Sequence, residues 1–185
     1  TVSVNGSCAG SNQAVFTFTY KQTPVITNSN LAQTICSGSS MSSVVLTSDM
    51  SSGTTYGWNV TSVPTSTITG FTTPGVGTTI PSVVLNNSTS VSGVANFSTT
   101  PSNNGCNGTP VQLVINVNAL PVITGTLNVC IGSTRQLTGS ATAATSNAWV
   151  SSDTSVATVD NLGLVTGVGI GTTSITYTNS NGCQR

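Results

Sequence analysis

The chain has 185 residues, with three basic side chains (Lys21, Arg135, Arg185), three acidic ones (Asp49, Asp153, Asp160), no histidine and a formal net charge of zero. Serine and threonine fill roughly a third of the positions, so solubility rests on hydroxyls and amides, and the surface offers neither a basic patch for nucleic acid nor a cationic face for an anionic membrane. The longest apolar runs, such as Val44-Val45-Leu46 and Val83-Val84-Leu85, fall far short of the roughly 20 residues a membrane-spanning helix needs.

Pro-Val-Ile-Thr occurs twice, at 24–27 and at 121–124, and 121 − 24 gives a period of 97 residues. Each copy follows a glycine-flanked cysteine and an alternating apolar run, and each precedes a second cysteine: Cys36-Ser37-Gly38 in one case, Cys130-Ile131-Gly132 in the other. That period is too long for a solenoid turn and fits one β-sandwich per repeat. The predicted organisation is all-β: the end of a truncated module over 1–23, a complete module over 24–120, and a module cut short at its C-terminus over 121–185. Thr1 to Asn5 lack the charged start and apolar middle of a signal peptide, so the chain is expected to be a piece of a longer protein.

Strand patterns follow in chain order. Ala14, Phe16, Phe18 and Tyr20 alternate with Val15, Thr17 and Thr19, which predicts the last strand of the first segment with one face buried. In the complete module the predicted strands are Ser43 to Thr47, Thr54 to Val60, Ile80 to Leu85, Gly93 to Thr99 and Val111 to Val117, separated by Gly, Pro, Asn and Ser clusters. Tyr56, Trp58 and Val60 share one face, as do Val111, Leu113, Ile115 and Val117. Those faces are the expected core, in preference to a sugar-stacking role for Tyr56 and Trp58.

Five cysteines allow fifteen arrangements of two bridges and one orphan. If each repeat closes its early cysteine onto its late one, Cys36 pairs with Cys106, Cys130 pairs with Cys183, and Cys8 pairs with a cysteine upstream. Loops of 106 − 36 = 70 and 183 − 130 = 53 residues would each stabilise by roughly 4 kcal/mol in the chain-entropy account. Free thiols in a reducing compartment are the alternative. Metal ligation is disfavoured, because no two cysteines stand at C-x-x-C spacing and histidine is absent.

Ile35-Cys36-Ser37-Gly38, Gly53-Thr54-Thr55-Tyr56-Gly57-Trp58, Ile68-Thr69-Gly70 and Gly105-Cys106-Asn107-Gly108-Thr109-Pro110 together resemble the PKD-like module of Bacteroidetes surface proteins. A second set resembles the group 2 bacterial Ig-like domain of invasin-type stalks: Gly132 to Leu137, Trp149 to Asp160, Gly163 to Val168 and Gly171 to Tyr177. Cys130 and Cys183 depart from that second pattern and suggest a disulfide-bonded variant. The resemblance implies tandem immunoglobulin-like sandwiches placed end to end, as in very large surface adhesins of the type IX export route that serve adhesion or gliding.

Catalytic groups are scarce. Without histidine there is no Ser-His or Cys-His dyad, and glutamate is absent too, so paired carboxylates would have to come from three aspartates. Asp153 and Asp160 read as turn carboxylates rather than as calcium ligands. No cofactor is expected. Three functions remain: a stalk segment of an extracellular, outer-membrane-attached filament, an accessory module of a secreted hydrolase, and a carbohydrate-binding module for which Phe71 is the one loop aromatic. The expected partners are neighbouring modules of the same chain, with surface polysaccharide or the secretion and motility machinery as further candidates, and neither nucleic acid nor membrane insertion.

Overall fold

A computed structural model describes residues 17–62, 68–71 and 74–185. The described residues contain strands and turns and no α-helix. In chain order the first module holds β1 (Ala32–Cys36), β2 (Ser39–Ser40), β3 (Val44–Val45), β4 (Thr55–Ser62), β5 (Ile68–Thr69), β6 (Gly75–Gly77), β7 (Thr79–Ile80), β8 (Val84–Asn87), β9 (Gly93–Asn103), β10 (Cys106–Asn107) and β11 (Val111–Asn118). The second holds β12 (Ile123–Thr124), β13 (Thr134–Gln136), β14 (Thr138–Gly139), β15 (Trp149–Ser151), β16 (Ala157–Val159), β17 (Leu164–Gly167) and β18 (Ile175–Tyr177).

The main sheet of the first module runs β1-β11-β9-β4-β6, with β10 hairpinned onto β9. Opposite it lie the shorter groups β2-β8-β5 and β3-β7. Two-residue alternation builds the core between them: Ala95, Phe97 and Thr99 of β9 and Leu113, Ile115 and Val117 of β11 are buried, as are Met41, Ile80 and Leu85 from the facing layer. Tyr56 and Trp58 of β4 are buried in the same cluster, as the alternation requires. Gly75 lies so close to the Trp58 indole that an added Cβ would sit 2.4 Å from a ring carbon. Glycine there lets the edge strand β6 pass over the ring.

The second module packs the groups β13-β17-β16, β15-β18 and β12-β14 around Leu137, Trp149, Ala157, Val165 and Tyr177. The Trp149 and Tyr177 rings are 4.5 Å apart across the β15–β18 pair, within the range of a favourable aromatic contact.

Three expectations change in the folded chain. The predicted strand Ile80 to Leu85 is split into β7 and β8 by Pro81, which has no N–H for a ladder. Of the predicted strand Ala14 to Tyr20, residues 14–16 lie outside the described residues, while 17–20 join no ladder, leaving Phe18 and Tyr20 82% and 91% exposed. Alternation alone cannot bury a face without a partner strand. Conversely, β1 has only a weak pattern in Ala-Gln-Thr-Ile-Cys, yet it pairs in parallel with β11 from Ala32↔Val114 to Cys36↔Asn118. That pairing carries Cys36 to the C-terminal pole of the module.

Candidate functional site: the joint between the modules

At this pole the backbone turns sharply after Cys36. Ser37 N–H donates to Asn118 O at 2.8 Å, and Gly38, in the left-handed region at φ 82°, donates its N–H to Leu85 O. Buried Asn87 ties the surrounding loops together. Its Nδ2 donates to Val91 O and Val117 O, its Oδ1 accepts from Thr89, and its backbone exchanges hydrogen bonds with the Ser37 hydroxyl. An asparagine satisfied on every side fixes a loop cluster that has few apolar contacts of its own.

The facing part of the second module is the turn after β18. Asn179 Oδ1 accepts the N–H groups of Asn181 and Cys183, and Gly182 adopts φ 77°. This turn aims Cys183 at Cys36, and the two form a disulfide with Cα atoms 5.5 Å apart and a sequence separation of 147. Only Ala119 and Leu120 separate the end of β11 from Pro121, where the second repeat begins. The two modules are thus joined twice, by backbone and by sulfur.

The pairings expected from the repeat, Cys36 with Cys106 and Cys130 with Cys183, are not made. Cys106 and Cys130 are free thiols, half-buried and exposed respectively. Strand direction gives the reason. Cys36 lies beside Asn118 at one end of β11, whereas Cys106 precedes Val111 at the other. Seven steps at about 3.4 Å put more than roughly 20 Å between them, and a disulfide needs Cα atoms within about 7 Å. In the second module Cys130 sits by Gly167 at the end of β17, while Gly163 at its beginning lies under Trp149, the ladder partner of Tyr177, next to the Cys183 turn. Again the two cysteines occupy opposite poles. The assignment of Cys8 to an upstream partner falls outside the described residues.

The remaining candidates are structural. Phe71 is half-buried and packs edge-to-face on Phe97, with centroids 5.7 Å apart, so it closes the core rather than presenting a sugar platform. Asp153 Oδ1 accepts from the Ser155 N–H at 2.9 Å and hydroxyl at 2.6 Å. Those bonds, the hydroxyl first, hold its carboxyl below the ordinary value of 3.8. Asp160 Oδ1 accepts the N–H groups of Leu162 and Leu164, and Asp49 accepts that of Val25. Asp153 and Asp160 are thereby turn clasps, while Asp49 ties its loop to the start of the module.

One open groove of about 660 Å³ indents the second module, between the 126–129 segment and the 172–175 segment, with Leu137, Val165, Ile175 and Arg185 also on its walls. No aromatic ring lines it.

Fold and joint together define a protein of tandem immunoglobulin-like sandwiches. A family model for the PKD-like domain matches residues 33–121, and one for the group 2 bacterial Ig-like domain matches residues 122–184. The chain therefore carries these two domains in tandem. Both are typically non-catalytic modules. No curated protein matches the chain significantly.

Proposed function

We propose that the chain is a load-bearing stalk segment of an extracellular surface protein, in which the disulfide adds a second tie to a two-residue linker and so fixes the joint. The observation that carries this reading is the Cys36–Cys183 bond across the two domains. Inter-domain linkers ordinarily allow relative motion, and a disulfide persists only in an oxidising compartment. An array of such domains on a bacterial surface serves adhesion or gliding, with export by the type IX route and attachment to the outer membrane as its natural setting.

The bond also reroutes force. Tension entering before Cys36 and leaving after Cys183 passes through sulfur, so the chain between them, 147 residue steps, is shielded from extension. At about 3.5 Å per residue, that withholds roughly 500 Å of chain. Single-molecule pulling of residues 1–185 from its two ends tests this. The oxidised chain is expected to withhold that length and to release it after reduction. Equal extension in both states would refute the stalk reading, and tight glycan binding by the oxidised chain would favour a carbohydrate-binding module.

A further inference from the structure

Among the described residues, the two free cysteines stand where the bonded ones stand in the sister module. Cys183 is preceded by Asn181-Gly182 and Cys106 by Asn104-Gly105, and both glycines are left-handed, at φ 77° and 82°. Both turns lie at the N-terminal pole of their module. The Cys183 turn abuts the first module through its disulfide. The hairpin bearing Cys106 abuts Pro24, because a Cβ at Gly108 would fall on Pro24 O, and Lys21 Nζ donates to Asn104 O at 2.7 Å.

The early cysteines match in the same way. Cys36 and Cys130 each precede a left-handed glycine at the second position onward, Gly38 and Gly132, at φ 82° and 77°. Each of those glycines donates its N–H to a carbonyl at the end of the module, Leu85 O or Gly167 O. Each cysteine lies at the C-terminal pole. In the one joint whose two sides are both present, an early cysteine of one module is bonded to the late cysteine of the next.

We infer that Cys106 and Cys130 are the open halves of two further joints of this kind, so that disulfides cross every joint of a longer array. Cys106 takes the early cysteine of an Ig-like module on its N-terminal side. Cys130 takes the late Asn-Gly-Cys cysteine of an Ig-like module on its C-terminal side. This rests on the stalk reading and extends it. Each bond forms by thiol–disulfide exchange with a disulfide oxidant: one cysteine thiolate attacks an oxidant sulfur and expels the other, the partner thiolate then attacks the cysteine sulfur of the mixed disulfide and expels the second, and the two protons given up by the cysteine thiols are taken up by the oxidant, which leaves as two thiols. With every joint bridged, the covalent path through sulfur would use, of this chain, only the 130 − 106 = 24 residue steps from Cys106 to Cys130. The remainder of both modules would carry no extension.

The test is non-reducing peptide mapping of the full-length protein, taken from its native compartment with thiols alkylated at lysis. Peptides containing Cys106 and Cys130 are expected, each cross-linked to a peptide from a flanking module, alongside the Cys36–Cys183 pair. In Cys130→Ser, the downstream partner should become one newly alkylated thiol while Cys36–Cys183 persists. Alkylated Cys106 and Cys130 beside an intact Cys36–Cys183 bond would overturn the inference and leave the single joint standing. A Cys8–Cys106 pair, or Cys106 and Cys130 joined between two chains, would overturn it as well. Recovery of Cys36 and Cys183 as alkylated thiols would bring down the stalk reading itself.

Discussion

The two modules share turns, poles and cysteine placement but build their cores differently. In the first, β11 lies between β1 and β9 and contributes Leu113, Ile115 and Val117 to a cluster of thirteen buried apolar residues. In the second, six buried apolar residues gather around the Trp149–Tyr177 pair. A sandwich draws stability from the apolar area its faces remove from water, so within residues 1–185 the second module has the smaller apolar core. The lesson is that the disulfide ties two different cores through poles built alike, each around an asparagine, Asn87 on one side and Asn179 on the other.

Breaking that tie is expected to have the largest effect. The loop closed by Cys36–Cys183 spans 147 residues, for which the chain-entropy account gives a stabilisation of about 5 kcal/mol before any strain or residual structure is deducted. Cys36→Ser should therefore lower thermal stability. It should also resolve two calorimetric transitions, the second module melting first, with faster amide exchange at 119–122. A variant that melts at the wild-type temperature with the second module unchanged would show that the joint contributes nothing to folding.

How much of this was legible in the sequence depends on the range of the interaction. Alternation located β4, β9 and β11 and placed Tyr56, Trp58, Leu113, Ile115 and Val117 inside, because a two-residue period reports directly on a half-buried strand. The repeat also showed that the cysteines are organised. It did not show which pole each would reach, since that depends on the parallel pairing of β1 with β11, which the plain Ala-Gln-Thr-Ile-Cys sequence does not announce. Hence the pairing expected within each module gave way to one across the joint. Phe71 illustrates the same limit: a loop position reads as exposed until Phe97 is found beneath it.

Thr99 offers a smaller perturbation, confined to the first module. Its side chain is fully buried between β4 and β11, and its hydroxyl has no hydrogen-bond partner. A buried hydroxyl left unpaired costs about 1–3 kcal/mol, and valine has nearly the same shape. Thr99→Val is expected to raise the first module's stability by roughly 1 kcal/mol and leave the second module's transition unmoved, widening the gap between them. A loss of stability would mean that the hydroxyl is satisfied in solution.

The smallest expected effect lies in the second module and depends on pH. The Ser155 hydroxyl and N–H bind the ionised form of Asp153 and hold its folded pKa below 3.8. Between those two values the unfolded chain binds more protons than the folded one, so the contribution is present above about pH 4 and lost as pH falls through the folded pKa. Asp153→Asn keeps an acceptor for Ser155 but removes the titration. The melting temperature of the second module should fall less steeply below pH 4 in the variant than in the wild type, with the first module titrating alike in both. Because the carboxylate is exposed, solvent screening keeps the difference small, and calorimetry at low ionic strength is the measurement suited to it. Parallel curves for the two proteins would mean that Asp153 acts through turn geometry alone, and that no charge on this module contributes to its acid sensitivity through the Ser155 clasp.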